Sequence, residues 1–165
     1  MDAYSAPAWA PAFTAIASSA AALTGLLFVA ISINLSQILK VPGLIPRAIE
    51  VLVLLTAVLV LATLLLMPSQ SAPTIGAEAI AVAAVAEVFI VRIELRASRH
   101  LVGVTPLGFG MRVFGAQLGL ALLIVGGVSL VAQSGGGLYW VVPAMVAAMV
   151  SAIIGAWVLL VEILR

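Results

Sequence analysis

The chain has 165 residues, of which 65% are hydrophobic and only 8% are charged, and its mean hydropathy is +1.35. Soluble domains carry about 25% charged residues, so this composition excludes an ordinary soluble domain and a disordered segment. The same scarcity of charged residues excludes a protein that binds nucleic acid through a basic face. The absence of cysteine excludes disulfides and thiolate metal sites. The composition therefore predicts an integral membrane protein.

Runs without charge place the membrane spans. No charged residue falls within 3–39, 51–77 or 113–161, and about 20 apolar residues cross the hydrocarbon core as a helix. The first two runs each fit one span, the third fits a hairpin of two, and a less hydrophobic stretch between the second and third runs supplies one more. We predict an all-α bundle of five transmembrane helices that forms a single domain over 1–165. Their expected bounds are 14–36, 48–67, 75–96, 112–133 and 139–163.

The breaks between these spans carry residues that favour turns. Pro42, Gly43 and Pro46 separate the first two spans, Pro68 and Pro73 bracket the second break, and three consecutive glycines at 135–137 bend the last hairpin. Lipid accepts only helices and closed barrels because every backbone polar group needs a partner. The apolar runs are too long and too continuous for barrel strands, which alternate in polarity.

The basic residues predict the orientation of the chain. With five spans, all of them fall on one side of the membrane, at Lys40, Arg47, Arg92, Arg96, Arg99, Arg112 and Arg165. The positive-inside rule makes that side cytoplasmic, which leaves the N-terminus outside and the C-terminus in the cytoplasm of a cell with an inner membrane. Four aromatic residues agree with this orientation, since all fall at the predicted outer interface: Tyr4, Trp9, Tyr139 and Trp140.

Glu87 is the acidic residue that the spans place deepest. It follows Thr74 by about 20 Å of helix, and a charged carboxylate at such a depth costs on the order of 2.5–3.5 kcal/mol. Glu87 is therefore a candidate proton or cation site, with Asn34 and Thr24 as secondary polar contacts. A neutral carboxyl bonded to a neighbouring helix explains the same residue without any function.

Three arginines follow Glu87 along the predicted cytoplasmic end of the third span. Arg92, Arg96 and Arg99 are candidate contacts to lipid headgroups, because long basic side chains extend from helix ends to the interface. A specific lipid or partner site is the alternative to nonspecific contact with the headgroups.

Small residues at helical spacing predict close helix contacts. Gly115 and Gly119 form a Gly-xxx-Gly pair on the fourth span, and such residues let helix backbones approach. Contacts inside the bundle and contacts with another copy explain them equally well. The other candidates for helix packing are Ser151 and Gly155 on the last span and Ala17, Ala21 and Gly25 on the first.

No pattern typical of catalysis is found. His100 is the single histidine, without cysteine or clustered acids that would complete a metal site. The glycine-rich stretch 103–110 lacks the lysine of a phosphate-binding loop and follows no strand. No serine lies in a nucleophile elbow. We expect no catalytic residues, no cofactor and no metal.

Three segments resemble a group of short bacterial multi-pass membrane proteins of unknown function. They are 23–35, with the sequence LTGLLFVAISINL, 66–71, with LMPSQS, and 156–165, with AWVLLVEILR. Some members of that group are labelled modulators of the FtsH protease. The resemblance implies a bacterial inner-membrane location and no catalytic residues.

Two classes of function are compatible with these features. One is a non-enzymatic accessory or regulatory subunit whose partners are the lipid bilayer and either another membrane protein or a second copy of the chain. The other is a small homo-oligomeric ion channel or proton-coupled transporter that uses Glu87.

Overall fold

A computed structural model describes residues 2–41, 43–98 and 106–163. Of the described residues, 86% are helical and none lies in a strand, which confirms the all-α prediction. After a short 3-10 turn at Asp2–Tyr4, the helices are α1 (Ala6–Ile33), α2 (Leu35–Ile38), α3 (Leu44–Leu64), α4 (Ala72–Ser98), α5 (Pro106–Val131) and α6 (Leu138–Ile163).

Four of the described helices are long and apolar enough to cross a membrane. They are α1, α3, α4 and α6, and α5 adds a shorter apolar stretch at Gly115–Val131. The described part of the chain is thus a bundle of apolar helices typical of a membrane protein.

The helix starts lie before the predicted ones. α1 begins eight residues earlier, because Pro7 occupies the first turn, where a backbone N–H has no partner to lose. Pro11 lies one turn further on and is accommodated inside the helix. α4 begins at Ala72 rather than 75, after Ser71, whose Oγ accepts a long hydrogen bond of 3.4 Å from the Thr74 amide.

Four of the helices form a closed ring. α3 packs on α4, α4 on α5, α5 on α6, and α6 again on α3. Short connections join the first three of these pairs, so the ring is an up-down-up-down bundle. α1 lies outside the ring and packs mainly on α3.

Glycines bring α5 close to its neighbours on both sides. A Cβ atom at Gly76 of α4 would lie 2.5 Å from the carbonyl oxygen of Gly127 on α5. On the opposite side, a Cβ atom at Gly119 would lie 3.1 Å from the backbone nitrogen of Ala148 on α6. Larger side chains at these positions would separate the helices and remove the close contact that stabilises bundles in lipid.

The glycine turn between α5 and α6 fastens the N-terminal segment to the bundle. Gly135, Gly136 and Gly137 all have positive φ, which side chains rarely adopt. The Gly136 amide donates a hydrogen bond of 3.0 Å to the hydroxyl of Tyr4. The rings of Trp9 and Tyr139 meet edge to face at a centroid distance of 4.9 Å. The aromatic residues predicted to share an interface therefore do lie at one end of the bundle.

A small cavity lies inside the ring. It has a volume of about 10 Å³ and lies between α3, α5 and α6, bordered by Leu54, Leu61, Leu120 and Met145 among other apolar residues. This volume is at the lower limit for a single water molecule, and the cavity has no polar wall that would hold one. The cavity is therefore dry.

We expect Gly119→Val to destabilise the bundle, because its side chain would collide with the α6 backbone. Overpacking of this kind costs about 1–3 kcal/mol. Gly25→Val is the matched control, since nothing lies within 4 Å of a Cβ atom at Gly25. Unfolding in detergent, followed by circular dichroism, measures both variants. Equal stability of the two variants would contradict the role of Gly119.

Candidate functional site

Glu87 lies on the face of α4 that meets α5. It follows Gly76 and Ile80, and all three residues fall within about 40° of one another around the helix. Gly76 and Ile80 both pack against Gly127 of α5. Glu87 is half-buried, and its Oε2 atom is buried without a hydrogen-bond partner in the described structure. The side chain thus lies at a helix interface.

The two polar residues proposed to accompany Glu87 instead donate hydrogen bonds to carbonyl oxygens of α1. Thr24 donates a hydrogen bond of 2.7 Å from its Oγ1 to the Ala20 carbonyl oxygen. Asn34, at the end of α1, donates one of 2.9 Å from its Nδ2 to the Ala30 carbonyl oxygen. Because α1 packs mainly on α3, whereas Glu87 faces α5, the structure does not gather these three residues into one site.

Glu50 is the most deeply buried charged residue among those described. Only 4% of its surface is exposed, and it lies within about 40° of Leu54 and Leu61, which border the internal cavity. Arg47 precedes it by one turn, and both residues have interaction partners. Burial of a charged group needs such partners, because an unpaired charge in the interior is costly.

In the sequence, Glu50 is one of several acids that lie near a predicted helix end. Its position at the start of an apolar run indicates how deep it lies in the membrane, but not which side of the helix its side chain occupies. A helical projection of α3 that places Glu50 on the same face as Leu54 and Leu61 is the signal that could have found it.

Glu78, near the start of α4, has a hydrogen-bond partner in the preceding connection. Gln70, in the connection before α4, donates a hydrogen bond of 2.8 Å from its Nε2 to Glu78 Oε1. Glu78 lies in the second turn of α4, because the helix begins at Ala72. The pair fastens the α3–α4 connection to α4.

The small residues predicted to mediate helix contacts fall into two groups. Gly115 and Gly119 meet Ser151 and Ala148 of α6, and Gly155 meets Val51 of α3. Ala17 is half-buried and packs against the core. Ala21 and Gly25 are exposed on the outside of α1. Nothing lies within 4 Å of a Cβ atom built at Gly25.

Arg92 and Arg96 are exposed on α4. Arg99, His100 and the glycine-rich stretch 103–110 lie partly or wholly outside the described residues, as does the side chain of Arg112. Among the residues described, no group of three or more histidine, cysteine or acidic side chains is placed to hold a metal ion.

Comparison of the chain with protein-family models, with curated proteins and with solved structures finds no match.

Proposed function

We propose that this chain is a non-enzymatic, multi-pass membrane protein that acts as an accessory or regulatory subunit through contacts between helices. All five long helices cross the bilayer in this proposal, including α5, whose 26 residues correspond to about 39 Å of helix. The N-terminus lies outside and the C-terminus lies in the cytoplasm of a bacterial cell. In this proposal the protein lies in the inner membrane of that cell.

The observation that carries this proposal is the position of α1. Only 11% of its most apolar stretch is buried within the protein, against 44% for α3. Its outer face carries Ser18, Ala21 and Gly25, which fall within about 60° of one another. Small residues on a lipid-facing helix allow another helix to approach closely. The glycines inside the ring already have neighbours, whereas this face has none in the described structure.

The partner in this proposal is another integral membrane protein. The resemblance of 23–35 to bacterial membrane proteins labelled as protease modulators favours a membrane protease, and this segment includes Gly25. A respiratory complex is a second partner class of the same kind, because both present transmembrane helices to a subunit that has little chain outside the bilayer.

A double substitution on α1 tests the subunit proposal. Ala21→Leu with Gly25→Leu fills the outer face without entering the bundle, so we expect loss of any co-purifying chain while the bundle stays folded. Ala121→Leu, at an exposed alanine of α5, is the matched control and should retain the partner. Native mass spectrometry of protein extracted gently from its own membrane measures the complex. Retention of a foreign chain by the α1 variant would contradict docking at this face.

The proposed orientation has its own test in this cysteine-free chain. A membrane-impermeant maleimide added to intact cells should label Ser134→Cys, in the outer turn, but not Lys40→Cys. Labelling of Lys40→Cys alone would reverse the orientation.

A second candidate function is a small homo-oligomeric ion channel or proton-coupled transporter that uses Glu87. The buried Oε2 of Glu87, which has no hydrogen-bond partner in the described structure, favours this candidate. The cavity between α3, α5 and α6 is too small for an ion pathway, so in this candidate the pathway runs between copies of the chain or along a helix interface.

Glu87→Gln separates the two candidates, because the amide keeps the shape of the side chain and removes its titratable group. A channel or transporter should lose ion flux in proteoliposomes with this variant. The accessory subunit should keep its partner association within about 1 kcal/mol, in line with the weak average of hydrogen bonds in membranes. Unchanged flux would remove Glu87 from any transport mechanism.

A further inference from the structure

An apolar groove runs along the outside of the ring between α3 and α4. Its volume is about 490 Å³. On α3 the groove extends from Ile49 to Val60, and on α4 from Ala81 to Phe89. Thr56 supplies the only polar side chain in its lining. Ile49 and Phe89 are 43% and 51% exposed, so the groove opens outwards rather than into the ring.

The depth of the groove matches one leaflet of a bilayer. The stretch from Ile49 to Val60 corresponds to roughly 16 Å of helix, and half of the hydrocarbon core is about 15 Å thick. Arg92 follows Ala72, the first residue of α4, by roughly 30 Å, which is the thickness of the whole core. The groove therefore lies in the leaflet on the side of Arg92.

Two arginines continue the α4 side of the groove. Phe89, Arg92 and Arg96 are separated by three and four residues, which places them on one face of the helix. Both arginines are exposed. The groove is thus about one leaflet deep, and the two arginines follow it on α4 at the level where headgroups lie. A guanidinium group binds phosphate oxygens through two parallel hydrogen bonds.

We propose that the groove holds one acyl chain of an anionic phospholipid whose phosphate is bound by Arg92 and Arg96. The charges complement a phosphate, and the apolar lining complements a hydrocarbon chain. The lining combines bulky residues such as Ile49 and Phe89 with small alanines, so the choice of occupant depends on the two arginines, which favour a phospholipid over an apolar partner helix. This site is separate from the outer face of α1, and the inference does not rest on the proposed function.

Purified protein in detergent, titrated with phosphatidylglycerol or with phosphatidylcholine of identical acyl chains, tests the site. Native mass spectrometry counts the bound lipids. With about 1 kcal/mol for each basic residue near anionic lipid, we expect a preference of about 30-fold for phosphatidylglycerol in the unmodified protein. Arg92→Gln with Arg96→Gln should reduce it to less than about threefold. Arg92→Lys with Arg96→Lys keeps the charge and should retain part of the preference.

The groove itself is tested by Val85→Trp, which fills the space for the acyl chain and should reduce binding of both lipids. Val128→Trp is the matched control, because Val128 is 53% exposed on α5, away from the groove, and Val85 is 59% exposed. Lys40→Gln is the control for charge. Circular dichroism verifies the helical content of every variant.

Several results would overturn the proposal. One is a phosphatidylglycerol preference that survives loss of both arginines, and another is equal lipid binding by Val85→Trp and Val128→Trp. A third is loss of a chain that co-purifies from the native membrane with the unmodified protein, seen in Val85→Trp while lipid binding by the purified variant is unchanged, which would assign the groove to a partner helix. The lipid measurements use purified protein alone, so their failure is distinct from failure of the subunit proposal.

Discussion

The close approach of α5 to α4 and α6 is the contact on which the rest of the bundle depends. Gly127 meets Gly76 on one side, and Gly119 meets the backbone of Ala148 on the other. In lipid, helices gain little from hiding apolar surface, so their association relies on close packing of backbones and side chains. This packing closes the ring, and the cavity between α3, α5 and α6 measures only about 10 Å³. The two surfaces that we propose for function lie on the outside of the ring.

The outside of the ring is not uniform. α1 lies on α3, and its exposed side carries small residues beside bulky ones such as Leu26 and Phe28. The groove between α3 and α4 has a lining of bulky and small apolar residues and is followed on α4 by two arginines. In our proposals the first surface receives a helix and the second an acyl chain, at different places around the circumference of one chain.

Much of the fold could be predicted from the sequence, because lipid restricts a charge-free run of about 20 residues to a helix. The starts of the helices were less predictable. The charge-free run 3–39 is longer than one span, and α1 begins early in it because Pro7 occupies a first turn where its missing N–H has no cost. The glycine turn at 135–137 was predictable from composition alone, but its hydrogen bond to Tyr4 depends on the packing of distant parts of the chain.

The candidate sites were less predictable, because spacing gives the depth of a residue but not what faces it. Gly119 and Gly25 are equally small in the sequence, yet one meets α6 and the other meets nothing within 4 Å. Depth alone likewise singled out Glu87, whereas Glu50 is the more buried acid. Glu50 lies near a helix end, but its direction is towards the interior of the ring. Such directions are set by the order in which the helices pack.

The position of α6 has a consequence for biogenesis. α6 follows α1, α3 and α5 along the chain, and it contacts α3 and α5 as well as the 3-10 turn that precedes α1. Until α6 has entered the membrane, the faces of α3 and α5 that it contacts stay uncovered, and the ring remains open. A chain that stalls before α6 would therefore differ from one with a closed ring by an exposed seam, which gives cellular quality control a feature to recognise.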